Sequence, residues 1–83
     1  MLFIIFTAEG LTQAQEQVLN NKAELWLNPS LKKQSDLSVF EQLGITLHTL
    51  PEEIDASNEK AVMTALSHVE AQSHDKDILV EYL

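Results

Sequence analysis

The fold is decided near the start of the chain, where residues 2–27 read LFIIFTAEGLTQAQEQVLNNKAELWL. Leu2 to Phe6 is a continuous apolar run of β-forming residues, which is typical of a strand covered on both faces. Apolar residues then recur at helical spacing, at Leu11, Ala14, Val18 and Leu19. Residues 23–27 return to a short apolar run that Pro29 closes, because proline cannot continue a strand. The stretch therefore predicts a strand, a helix and a second strand.

The start of the first helix is marked by a second local signal. Thr12 is followed three residues later by Gln15, which resembles a capping box. This spacing predicts that residues 7–10 form a loop and that the helix begins near Thr12.

The middle of the chain again predicts a helix followed by a strand, and the helix is short. Ser35 or Asp36 is a candidate cap for a short helix over residues 37–43, and Gly44 then occupies the position where a left-handed residue ends a helix. Residues 45–50 alternate in part between apolar and polar side chains, which predicts a strand with one face open to water.

The last third contains the strongest helical pattern. Between Asn58 and Gln72, with Ser57 as a candidate cap, an apolar stripe recurs at three- and four-residue spacing, at Ala61, Val62, Ala65, Leu66 and Val69. Residues 77–83 then predict a final strand. We therefore expect a single α/β domain over residues 1–83, in the order β-α-β-α-β-α-β, with a mainly parallel four-stranded sheet and three helices.

The polarity of the predicted strands suggests where two copies of the chain would associate. The third strand contains His48 and threonines and is expected at an edge, whereas the last strand is as apolar as the first. An apolar strand is either central or paired with another chain, because monomeric proteins usually protect such an edge. The second alternative is a homodimer through the C-terminal strand, with contacts at Ile78, Leu79, Val80 and Tyr82.

Charge limits the classes of partner. The chain has 13 acidic residues, five lysines and no arginine, and its net charge is −8. Such a chain repels nucleic acid and anionic membrane surfaces. Residues 45–83 hold eight acids and two lysines, against five acids and three lysines in residues 1–44. The second half is therefore the candidate docking surface for a basic partner, and the alternative is an acidic face that serves only solubility.

Composition also bounds location and cofactors. The chain has no cysteine, which fits a reducing compartment. Its N-terminal apolar run is too short for a signal peptide and follows no basic segment, so we expect a cytoplasmic protein without a membrane span. Two glycines exclude a glycine-rich phosphate loop. No serine lies in a nucleophile motif. We expect no cofactor and no enzymatic activity.

Two sets of side chains are weaker candidates for metal chemistry. If the sheet is parallel, Glu9, Glu52, Glu53 and Asp55 follow the carboxyl ends of strands, where carboxylates could hold Mg²⁺. His68 and His74 lack the tight spacing of metal ligands, and His68 is expected to border the apolar stripe.

The favoured function is a non-catalytic protein-interaction or adaptor module. Its speculative partner-binding residues are Glu52, Glu53, Asp55, Glu59 and Trp26, and Trp26 has a core interpretation beside the anchor one. One alternative is an acidic inhibitor or immunity-type protein that docks a basic partner. The layout is similar to the barstar family, but the acidic, aromatic-rich helix of that family has no counterpart between Asn28 and Leu50. The other alternative is a Mg²⁺-dependent enzyme.

Overall fold

The architecture is a parallel sheet between two helical layers. The computed structural model describes residues 1–34, 36–73 and 77–81, and within them the chain forms four strands and four helices. In chain order these are β1 (Leu2–Ile5), α1 (Ala8–Asn21), β2 (Glu24–Leu27), α2 (Pro29–Gln34), α3 (Ser38–Gln42), β3 (Leu47–Thr49), α4 (Glu59–Gln72) and β4 (Ile78–Val80). The α/β class predicted from the alternating pattern is confirmed.

The strand order is β3-β2-β1-β4, and every neighbouring pair is parallel. The third strand is at an edge, as its polar residues predict. The last strand lies at the opposite edge beside β1, so the alternative in which it is central is wrong. Because the chain moves outward from β1 to β3 and then returns to the other side of β1, the carboxyl ends of β1 and β4 form the topological switch point of the sheet.

Both faces of the sheet are covered, which explains why every residue of β1 is buried. One core lies between the sheet and the helices α1, α2 and α3, and its buried members include Phe3, Ile5, Leu11, Val18, Leu25, Leu27, Leu31 and Phe40. The other lies under α4 and includes Leu2, Ile4, Phe6, Trp26, Leu50, Ile54, Val62, Ala65 and Val69. Alternate residues of the continuous apolar run therefore enter opposite cores.

Helix α1 begins earlier than the capping-box pattern predicts. Thr7 is the N-cap, and its hydroxyl accepts a hydrogen bond from the Gly10 N–H at 3.0 Å. Thr12 lies inside the helix and donates to the Ala8 carbonyl at 3.1 Å. The first turn of α1 therefore follows β1 almost directly, and the helix N-terminus lies close to the carboxyl end of β1.

A fourth helix, α2, is absent from the sequence prediction of three. It starts at Pro29, because proline that ends a strand is also favoured at the first position of a helix. The next helix, α3, is shorter than the predicted range of 37–43, with Leu37 at its N-cap and Leu43 at its C-cap, and Gly44 has the expected left-handed conformation, with φ of 75°. Asp36 accepts hydrogen bonds from Ser38, and Ser35 lies outside the described residues.

No helix in the described part of the chain has the length and apolar character needed to cross a bilayer.

Candidate functional site

The carboxyl edge of the sheet carries an exposed acidic segment between β3 and α4. We call residues 51–58 the acidic loop. The side chains of Glu52, Glu53 and Asp55 are exposed there, and so is Glu59, the first residue of α4. Four of the five predicted partner-binding residues are thus close in the chain and accessible to solvent.

A buried amide fixes the acidic loop to the sheet. Asn28, at the end of β2, is 1% exposed. Its Nδ2 donates to the carbonyls of Phe6 at 2.9 Å and Ile54 at 2.8 Å, and its Oδ1 accepts from the Ile54 N–H at 2.8 Å. Because Ile54 is itself in the core, the loop is tied to the sheet by both polar and apolar contacts.

Two of the carboxylates are also held in place. Glu53 accepts from the Ser30 N–H at 3.0 Å and from the Ser30 hydroxyl at 2.8 Å, so it bridges the acidic loop and α2. Asp55 accepts from the Ser57 N–H at 2.9 Å and its hydroxyl at 2.7 Å. Hydrogen bonds to the Ser57 side chain and then its backbone stabilise the ionised form and lower the pKa of Asp55 below its usual value.

An apolar surface adjoins these acids at the start of α4. Asn58, rather than the predicted Ser57, caps the helix and accepts from the Ala61 N–H at 3.2 Å. One turn on, the side chain of Met63 is 60% exposed. A shallow depression of about 230 Å³ is lined by Ala56, Glu59, Val62 and Met63. The depression therefore combines apolar side chains with the Glu59 carboxylate.

The proposed metal ligands are not assembled into a site. No group of three histidine, cysteine, aspartate or glutamate side chains within the described residues could hold a metal ion. Glu9 is exposed in the first turn of α1, while Glu53 and Asp55 are engaged by serines. His74 lies outside the described residues.

The predicted anchor Trp26 lies in the core. Its side chain is 6% exposed and packs under α4, so the anchor interpretation is corrected in favour of the core interpretation. Its ring stacks on His48 with centroids 4.4 Å apart and 17° between planes, and it meets the edge of His68 at 5.8 Å. His68 therefore borders the buried stripe, as its helical spacing predicts.

The carboxylate of Glu24 contacts the His48 ring of this aromatic stack. Nε2 of His48 lies 2.9 Å from Oε1 of Glu24, and the Ser73 hydroxyl lies 3.4 Å from Oε2 of Glu24. The indole Nε1 of Trp26 is buried without a hydrogen-bond partner among the described residues. No local spacing in the sequence connects these residues, because their contacts span three separate elements.

The switch point holds a second carboxylate arrangement that the sequence did not reveal. Oε1 of Glu81, directly after β4, accepts from the Phe6 N–H at 2.7 Å and the Thr7 N–H at 2.9 Å, and Oε2 accepts from the Thr7 hydroxyl. We call these three donors the cradle. A side chain at Gly10 would overlap the Glu81 carboxylate. Glycine is therefore required for this close approach.

The predicted self-association strand is exposed in part. Leu79 is 44% exposed, whereas Ile78 and Val80 are partly buried against the core under α4. Tyr82 lies outside the described residues. A groove of about 260 Å³ runs between β4 and α1, and its lining includes Phe3, Ile5, Gly10, Gln13, Gln17, Leu79 and Glu81.

Comparison with known proteins identifies no relative of this chain: no protein-family model, curated protein or solved structure matches it.

Proposed function

We propose that this chain is a non-catalytic protein-interaction module that docks a basic partner through the acidic loop and the start of α4. The observation that carries the proposal is a preorganised acidic surface beside an exposed apolar side chain. Glu52, Glu53, Asp55 and Glu59 supply the charge, and Met63 supplies an apolar contact.

The fixed position of the acidic loop supports this proposal more strongly than the charge of the loop alone. Acidic residues on a mobile loop lose conformational entropy when they bind, and this cost lowers affinity. Here Asn28 holds the loop through Ile54, and Ser30 holds Glu53. Glu53 and Asp55 are therefore positioned before a partner arrives, and Glu52 and Glu59 add exposed charge on either side of them.

The test compares two pairs of charge-neutralising substitutions. Glu52→Gln with Glu59→Gln removes two charges from the docking surface, and neither side chain supports the Asn28 anchor. Glu16→Gln with Glu70→Gln is the matched control, because it removes two charges from exposed positions elsewhere on α1 and α4. Equal melting temperatures of the two variants would establish that binding differences do not come from unfolding.

Each variant would be immobilised for capture from native lysate at low salt, with elution by a salt gradient and quantification by mass spectrometry. We expect one basic protein that the wild type and the control pair retain and that the docking pair loses. Met63→Ala should weaken the same complex without changing its salt dependence, because it removes only apolar contact. Equal losses from both charge pairs, or a complex insensitive to salt, would contradict the proposal.

A second candidate is a homodimer through the C-terminal strand. It is favoured by the exposed Leu79 on an edge strand, since such a strand offers unpaired backbone groups to another chain. Sedimentation equilibrium should give a dimer mass for the wild type and a monomer mass for Leu79→Lys. A wild-type monomer, or an unchanged mass after the substitution, would exclude this candidate.

A further inference from the structure

The direction of the backbone groups of β4 follows from its register with β1. In the part of the chain that the structure describes, β4 pairs with β1 alone. The Asp77 carbonyl accepts from the Leu2 N–H at 2.9 Å, and the Glu81 N–H donates to the Ile4 carbonyl at 2.9 Å. Successive residues of a strand direct their backbone groups to opposite sides. The odd-numbered residues of this segment therefore bond to β1.

The even-numbered residues, Ile78 and Val80, direct their N–H and C=O groups away from β1. Within the described residues no strand lies on that side, so the edge offers a donor and an acceptor at each of these positions. Leu79 lies between them. Its side chain is on the α1 side of the sheet, beside Phe3, and is 44% exposed. The edge therefore combines open backbone groups with one exposed apolar side chain.

We infer that β4 pairs antiparallel with β4 of a second copy, with the two-fold axis at Leu79. The inference rests on the homodimer proposed above and specifies its register. With this axis, Ile78 of one copy lies opposite Val80 of the other, and the two residues exchange both of their N–H···O bonds. An axis at Ile78 or at Val80 would place the other of these two residues opposite a position outside β4. The axis at Leu79 thus pairs every outward backbone group of the strand.

This register also covers the exposed side chain of Leu79. The two copies of Leu79 form a non-hydrogen-bonded antiparallel pair, in which the Cα atoms are about 4.5 Å apart and the side chains are closest. Both side chains lie on the α1 side of their sheets, next to the groove between β4 and α1. Each Leu79 therefore removes apolar area of the other from water, which favours association. Pairing also closes an edge that β1 alone holds in the monomer.

Charge opposes the pairing and sets its salt dependence. Each copy has a net charge of −8, and the register places Asp77 of one copy opposite Glu81 of the other. The Glu81 carboxylate is held in the cradle by the Phe6 and Thr7 N–H groups, so it points to the β1–α1 turn rather than to the edge. Dissolved ions screen the remaining repulsion. The dimer should therefore strengthen as salt rises, whereas a complex with a basic partner should weaken.

A single introduced cysteine tests the position of the axis. The chain has no cysteine, so Leu79→Cys carries one thiol per copy, and a Cα separation of about 4.5 Å lies in the range that a disulfide spans. Leu43→Cys is the matched control, because Leu43 is another exposed leucine but lies at the end of α3. With oxidised glutathione as the oxidant, two thiols form one disulfide and glutathione is reduced. We expect Leu79→Cys to form covalent dimers at least about tenfold faster than Leu43→Cys, as measured by mass spectrometry.

Hydrogen exchange of the wild type tests the backbone pairing. The Ile78 and Val80 amides should exchange at least about tenfold more slowly at a concentration where sedimentation gives a dimer than at one where it gives a monomer. The Leu50 amide, which donates to the Leu27 carbonyl at the β3 edge, should be protected equally at both concentrations. Raising the salt from about 0.05 M to about 0.5 M should increase the fraction of dimer.

The outcomes separate the register from the homodimer itself. A monomer at every concentration and salt would overturn both. A dimer that links Leu79→Cys no faster than Leu43→Cys, that leaves the Ile78 and Val80 amides without added protection, or that weakens with salt would overturn this register while the homodimer stands. Neither result bears on docking through the acidic loop, because the loop follows the opposite edge of the sheet.

Discussion

The two edge strands of the sheet, β3 and β4, have the same length and the same parallel pairing, but different side chains hold them. At the β3 edge, His48 stacks on the buried Trp26, and the loop that follows is tied to Asn28. At the β4 edge, Leu79 is exposed and one carboxylate, Glu81, fastens the end of the strand to the β1–α1 turn.

The difference separates two kinds of surface. Asn28 is buried with three hydrogen bonds, and Ile54 of the same loop is in the core, so opening the acidic loop after β3 would leave buried polar groups unpaired and uncover apolar surface. The hydrogen bonds of Glu81 are only partly buried and Leu79 beside it is exposed, so we expect the end of β4 to open at a smaller cost. We therefore expect the β3 edge to stay fixed and the β4 edge to open more readily.

The largest loss of stability is expected for Asn28→Ala, because this substitution removes the side chain that anchors the acidic loop. The substitution leaves the Phe6 carbonyl and both backbone groups of Ile54 without their buried partner. We expect the free energy of unfolding to fall by about 3 kcal/mol. Chemical denaturation measures this, with the exposed cap variant Asn58→Ala, expected to lose about 1 kcal/mol, as the control. Equal losses would mean that Asn28 does not anchor the loop.

The second-largest loss of stability is expected for Glu81→Ala, because this substitution releases β4 from the N-terminus of α1. Loss of the charge-assisted hydrogen bonds to Phe6 and Thr7 should lower the free energy of unfolding by about 2 kcal/mol. Glu9→Ala, in the first turn of α1 but exposed, should cost no more than about 0.5 kcal/mol in the same denaturation assay. A smaller effect for Glu81 than for Glu9 would contradict its role in holding β4.

A smaller effect is expected at the β3 edge for His48→Ala. Removal of the ring stacked on Trp26 should cost about 1 kcal/mol and change the fluorescence of this single tryptophan. His48→Phe keeps an aromatic ring over Trp26 and should retain most of this stability. If both variants lose the same amount, the contact with Glu24 rather than the stack holds the edge.

The smallest effect is expected for Asp55→Asn and should depend on pH. Hydrogen bonds from Ser57 lower the pKa of Asp55 in the folded protein below 3.8, so the ionised form stabilises folding above that value and the stabilisation disappears as pH falls through the lowered pKa. The variant should therefore melt slightly below the wild type at pH 7. The difference should shrink as pH falls through the lowered pKa of Asp55, and a pH-independent difference would contradict this origin.

Local patterns in the sequence predict the strands and the main helical stripe because these depend on neighbouring residues. The run Leu2–Phe6 indicated a strand buried on both faces, and the charges of residues 52–59 indicated an exposed segment. The roles of Asn28 and Glu81 depend on partners 26 and 75 residues away, and no local spacing encodes them. Pro29 predicts a strand stop and also favours the first position of a helix, so its sequence context alone does not reveal α2.

Native-state hydrogen exchange tests the contrast between the two edges most directly. The Leu50 and Ile54 amides, bonded to Leu27 and Asn28, report on the β3 edge, and the Glu81 amide, bonded to Ile4, reports on the β4 edge. We predict that Glu81 exchanges at least about tenfold faster than Leu50 and Ile54 after correction for intrinsic rates, which corresponds to an opening free energy lower by about 1.4 kcal/mol or more. Equal protection of the three amides, or faster exchange at Leu50 and Ile54, would contradict a fixed β3 edge and an opening β4 edge.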